Sequence, residues 1–248
     1  MVARSVIAVL GVAAGLLAAS GVSNEPANAT EPKTVVFTGV DLAPRDTVAT
    51  WGGAIHAFEG LTRDSLYVRV LGAHAWFDYT SGASLGTIDG TATLFDALIG
   101  YQVVRSNIRA GVAIGVENQN YHLSPDDPGN PIRGNETGFK VMGDIGTLVA
   151  RPWFFDVIGS FSTAFESYWT RGRVGYEIGK VVIGPEVVFY GNSDFRAERI
   201  GGFLQFDLPM GHVFTRTSIS AGHEQTGDDG FFGGREGAYG TLNFAFAF

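Results

Sequence analysis

From Thr34 onward the chain is a succession of segments, about ten residues each, in which apolar and polar residues alternate up to a turn signal. Twelve such segments can be read: Thr34–Leu42, Val48–Phe58, Leu66–Phe77, Thr91–Val104, Ile108–Gln119, Gly138–Val149, Trp153–Phe165, Tyr168–Ile178, Val181–Tyr190, Ala197–Leu208, Val213–Glu224 and Gly237–Phe248. Period-two alternation puts successive side chains on opposite faces of a strand. Ile108, Ala110, Val112, Ile114 and Val116 thus share one face, opposite Arg109, Glu117 and Gln119. The closing segment sets Leu242, Phe244, Phe246 and Phe248 against Thr241, Asn243, Ala245 and Ala247. No long stretch shows helical periodicity. The chain is all-β.

A soluble sandwich would alternate in the same way, so the connections must decide. Glu59–Ser65, Arg105–Asn107, Ala150–Pro152, Gly179–Lys180 and Pro209–His212 are tight, whereas Asp78–Gly90, Asn120–Thr137, Gly191–Arg196 and Gln225–Glu236 are mostly long. Ala43–Thr47 and Glu166–Ser167 depart from the pattern by being short. Short turns at one end and longer loops at the other are the asymmetry of outer-membrane barrels. Aromatics fall in two groups: Tyr101, Trp153, Phe155, Tyr176, Phe206 and Phe248 near the turn end, and Trp51, Phe139 and Phe189 near the loop end. Such girdles form at membrane interfaces. Closure also removes sheet edges, which lipid cannot hydrate. The expected fold is an antiparallel transmembrane β-barrel of about 12 strands.

Export is written at the start of the chain. Arg4 precedes the apolar run Val6–Ala19, which is too short and too rich in Ala and Gly for a spanning helix, and Ala27-Asn28-Ala29 follows as a cleavage pattern. Residues 1–29 are expected to be a cleaved signal peptide and residues 30–248 the barrel. Only 17% of residues are charged, against about 25% in ordinary soluble domains. The mean hydropathy of +0.13 suits a fold with an apolar outside and a polar inside. A net charge of -8 offers no basic footprint for nucleic acid. Absence of Cys excludes disulfides, thiol catalysis and Cys-ligated metals.

The polar faces would line the lumen with Arg69, Asp96, Arg109, Glu117, Lys140, Asp144, Asp156, Arg171, Arg173, Glu177, Glu186, Asp207, Arg216 and Glu224. Both signs are mixed. That suits a salt-bridged filling or a polar, saccharide-binding interior, and it lacks the single sign of an ion pore. No catalytic residue is assigned: Ser220 and His223 fall on opposite faces of one strand, and neither G-x-S-x-G nor H-E-x-x-H occurs. Asp126, Asp127 and Asn130 make a weak calcium pattern, so no metal or cofactor is expected. The stretch Tyr121–Gly134 holds three prolines with Asp and Asn, a composition that orders a loop, as a plug over the barrel mouth or as a recognition surface.

Four stretches carry a resemblance: Leu123–Gly134 (LSPDDPGNPIRG), Ser162–Arg173 (STAFESYWTRGR), Gly184-Pro185-Glu186 and Gly237–Thr241 (GAYGT). Across about Val36 to Phe248 the chain resembles the BcsS family of bacterial cellulose biosynthesis proteins. The resemblance implies a secreted barrel in the outer membrane, in contact with its lipid, that assists cellulose biosynthesis, export or surface anchoring; it supplies no catalytic residues, and for want of a catalytic constellation no enzyme is expected. It implies partners among the glucan chain and the cellulose-synthesis components. A neutral glucan is held by aromatic stacking and hydrogen bonds. The expected substrate-binding residues are Tyr121, Asp126, Asp127, Asn130 and Arg133 on the loop, with Tyr168, Trp169, Arg171 and Arg173 at the neighbouring rim. A porin-like channel for small solutes and a structural barrel organising envelope partners stay open as alternatives.

Overall fold

The computed structural model describes residues 31–44, 46–80, 86–210, 213–227 and 235–248; the expected signal peptide lies outside them. Twelve strands follow in order: β1 Thr34–Ala43, β2 Thr47–Ala57, β3 Ser65–Thr80, β4 Thr87–Arg105, β5 Ile108–Ser124, β6 Gly134–Thr147, β7 Trp153–Ser162, β8 Tyr168–Ile178, β9 Val181–Gly191, β10 Arg196–Met210, β11 Val213–Thr226 and β12 Arg235–Ala247. Each pairs antiparallel with its neighbours in sequence, and β1 pairs with β12 to close a barrel. The seam is tight: Thr34 and Phe248 exchange backbone hydrogen bonds of 2.9 Å in both directions.

The alternation decides which face is which. Val112, Ile114 and Val116 are exposed on the outside of β5, while Arg109, Glu117 and Gln119 are buried on the inside. Phe139, Trp153, Ile178 and Ile200 continue the outer apolar band on other strands. An apolar exterior around a polar, filled interior is the pattern of a barrel that faces lipid.

Two expectations need correcting. Trp51 does not join an outer girdle: it is buried, facing inward over Gly39, where a Cβ would collide with its ring. It shares the inner face with Ala49 and Ile55, so parity already assigned it to the lumen. Secondly, β3 to β6 run farther toward the loop end than the alternation suggested; Tyr121–Ser124, expected in the long loop, is strand. On that extension the outward residues turn polar, so the apolar signal stops while the backbone ladder continues.

The opposite happens on β7, which ends at Ser162. A 3-10 turn, Ala164–Glu166, follows, with Phe165 and Glu166 both at a φ of 51°. The β6–β7 pairing accordingly spans seven residue pairs, Lys140↔Ser162 to Gly146↔Asp156. One side of the loop end is therefore a tall four-stranded wall, and its β6 edge stands beside a lower rim.

Candidate functional site

The lumen is packed with side chains, and its charges meet in pairs. Arg69 donates to both oxygens of Asp96 at 2.9 and 3.0 Å, and Lys140 donates to Asp96 at 2.8 Å and to Glu117. Arg109 pairs with Asp144 and donates to Gln102, whose own amide caps the carbonyls of Gly60, Leu61 and Arg63 in the β2–β3 turn. Asp156 accepts from both Arg171 and Arg173, at 3.1 and 3.2 Å. Arg199 grips Asp41 with two bonds of 2.9 and 2.8 Å, donates to Glu224 at 2.6 Å, and lies over the rings of Tyr190 and Tyr239. Isolated charges would be costly in such an interior, and mutual pairing offsets that penalty. The sequence reading missed Arg199 and Asp41, which pair across the lumen from β10 to β1.

The expected site residues separate into three groups. Asp127 and Asn130 are buried and converge on Tyr79: the phenol donates to Asp127 Oδ2 at 3.0 Å and accepts from Asn130 Nδ2 at 3.0 Å. Asn130 Oδ1 also accepts from the Ile132 amide at 2.8 Å. These bonds, with the cluster of Phe77, Tyr79, Tyr121, Leu123, Ile132 and Phe165, dock the loop over the barrel mouth. Asp126 and Arg133 stay exposed on that loop and pair at 3.4 Å.

Arg173 forms a deeper group. It donates to Ser218 at 3.2 Å and stacks on Phe154 and Phe203, 5.5 and 4.9 Å from their centroids. Arg171 shares Asp156 with it and lies 5.6 Å from the Trp169 centroid.

The third group is a cleft at the loop end, where Tyr121, Tyr168 and Trp169 meet. Its floor is polar: Glu117, Gln119 and Lys140 from the wall, Ser160 and Ser162 from β7, and Tyr190 and Asn192 from β9 and its end. Gln119 donates to Glu117 at 2.6 Å and to Ser167 at 2.7 Å, and accepts from Tyr121 at 3.2 Å. The enclosed part measures about 30 Å3, room for a water or two and too little for a sugar ring. Ser160, Ser162, Tyr190 and Asn192 gave no sequence signal, because they join Tyr168 and Trp169 through the β7–β8 and β8–β9 registers, which the alternation alone does not fix.

A family model described as cellulose biosynthesis protein BcsS matches residues 35–248. The chain belongs to this family. Among solved structures, the BcsS barrel is similar to an outer membrane channel from Pseudomonas putida F1, with a TM-score of 0.53 at 14% identity over 91% of this chain and 100% of that one. A KdgM porin gives a TM-score of 0.42 at 10% identity, over 86% and 99% of the two chains. No curated protein matches. The channel likeness concerns the fold, and the family ties that fold to cellulose biosynthesis.

Proposed function

We propose that this BcsS-family barrel sits in the bacterial outer membrane, loop end outward, and assists cellulose production as a sealed surface anchor for the exported polymer. The observation that carries this reading is the lumen: its arginines and its one lysine are engaged with carboxylates, and the loop is bonded down over the mouth through Tyr79. A filled lumen cannot pass a glucan chain, so contact with polymer falls to the rim. Trp169 and Tyr168 would stack on sugar faces, with Asp126 and Arg133 offering exposed hydrogen bonds. Tyr121, Asp127, Asn130, Arg171 and Arg173 would hold that surface in shape. Lipid and the cellulose-synthesis components are the partners this placement implies.

This reading gives the barrel a non-catalytic role. His56, His74, His122 and His223 occupy outward positions, and Ser220 points inward to Glu186 at 3.0 Å, away from His223. A nucleophile beside an oriented base is therefore not assembled among the described residues.

Two measurements test the reading together. Purified barrel in planar bilayers is expected to give no stepwise conductance, and a deletion strain is expected to shed cellulose that the parent retains at its surface. Discrete conductance steps would return the porin-like alternative. Unaltered cellulose in the deletion strain would remove the anchoring role.

A further inference from the structure

The outer face of the wall, continued onto the neighbouring strand β2, carries a row that neither the lumen nor the cleft uses. Thr50 pairs with His74, His74 with Thr93, Thr93 with Asn120 and Asn120 with Asn135, so five outward positions stand in direct register across five strands. All five are polar, and none is Asp, Glu, Lys or Arg. The apolar band lies below: Ala54, Val70, Ala97, Val116 and Phe139 are in register two rows down. The row's groups are held in place, since His74 Nδ1 lies 2.8 Å from Thr93 Oγ1 and Asn118 Nδ2 donates to Asn135 Oδ1 at 2.8 Å. Trp76, exposed one row higher, is fixed edge-on against His74 with centroids 4.4 Å apart.

We propose that this row docks a neutral β-1,4-linked glucan chain running across the strands. Neighbouring strands stand about 4.8 Å apart, so the row presents one hydroxyl, imidazole or amide per strand over about 19 Å. That interval is close to the advance of one pyranose ring and its glycosidic oxygen, so successive sugars meet successive side chains in step. Trp76 offers a face to the C–H side of one ring. Charge selects the occupant. Within β2 to β6 the nearest charges on the same face are Asp78 and Asp89, two rows farther toward the loop end and directly opposite each other, and they repel phosphorylated lipid headgroups while leaving a neutral sugar untouched; Arg133, just before β6, is paired with Asp126. The inference rests on the cellulose reading above and adds a second contact surface outside the barrel.

The test is retention of full-length barrel, in detergent micelles, on amorphous cellulose, with cellohexaose as the soluble competitor. The pair Asn120→Leu with Asn135→Leu, and separately Trp76→Ala, are expected to weaken retention about tenfold, a change of roughly 1.4 kcal/mol. Asn120→Ala with Asn135→Ala removes the amides without adding bulk or charge, and serves if the leucine pair fails to fold; it is expected to weaken retention likewise. Heat-dependent gel migration establishes that each variant is folded. Wild-type retention that the row variants leave unchanged overturns the row and spares the anchor, above all if Trp169→Ala abolishes it. No retention of the wild type overturns both. Row variants that lose lipopolysaccharide binding while keeping cellulose would assign the row to lipid instead.

Discussion

The phenol of Tyr79 on β3 donates a 3.0 Å hydrogen bond to Oδ2 of Asp127, forty-eight residues along the chain, and thereby fastens the loop between β5 and β6 to the barrel mouth. Asp127 also accepts from the Gly129 amide at 3.2 Å, so one carboxylate shapes the loop and anchors it. Asp127→Ala leaves the Tyr79 hydroxyl with Asn130 as its remaining partner and loosens the loop by about 1–3 kcal/mol. The expected result is faster protease cleavage within residues 125–133, with the strands still protected. Equal cleavage rates would mean that the apolar cluster alone holds the loop.

Lys140 stands between Asp96 and Glu117, and all three are buried. Lys140→Met removes the cation and leaves the two carboxylates beside a single Arg69. Breaking a buried pair from one side destabilises by about 3–5 kcal/mol. The midpoint of urea unfolding, followed by tryptophan fluorescence in lipid vesicles, is expected to fall sharply. Adding Glu117→Gln to the same chain should recover part of the loss, because the two changes share one network.

Much of this was legible in the chain, and the limits have physical causes. Val112, Ile114 and Val116 against Arg109 and Glu117 state a strand with a lipid side and a lumen side, and the same contrast in other segments states a barrel. Beyond Gln119 on β5 the apolar side switches, with Tyr121 and Leu123 facing inward and Asn120, His122 and Ser124 outward, so the outward apolar signal stops and this end read as loop. Parity was enough to turn Trp51 inward, yet its aromatic type argued for a girdle. The family resemblance singled out Tyr168 and Trp169. The partners that complete their cleft, Tyr190 and Asn192, come from the adjacent strand β9 and its end, where Tyr190 stands in register with Trp169, and such a pairing depends on a register that the alternation alone does not fix.

At the opposite end, Asp64 in the β2–β3 turn accepts from Arg105 at 2.7 and 2.9 Å and from the Val104 amide at 2.8 Å. The Arg105 hydrogen bonds, followed by the Val104 amide, hold its carboxyl below the usual value. A depressed folded-state pKa contributes stability above the unfolded value of about 3.9, and that contribution is lost as pH falls through the folded value. Asp64→Asn is therefore expected to unfold slightly more readily than wild type at pH 7, with the two converging in acid. The difference should also shrink in high salt, because the pair is exposed. A gap that persists at low pH would point to the turn's packing instead of its charge.

The membrane assignment makes a depth-dependent prediction on a single strand. Val112 and His122 both lie on the outer face of β5, and both are exposed. Val112 sits in the apolar band, whereas His122 lies in the row of Trp76 and Thr91, beyond the change to polar side chains. An arginine near the bilayer midplane of a barrel costs about 2–4 kcal/mol, and one near the interface about 0–1 kcal/mol. Val112→Arg is therefore expected to lower folding efficiency and unfolding midpoint in lipid vesicles, with His122→Arg close to wild type. In detergent the two should differ less, since micelles adapt around a charge more readily than a bilayer does. Equal effects in lipid would mean that the band around Val112 is not where the bilayer sits, and the outer face of β5 would then need a protein partner to cover it.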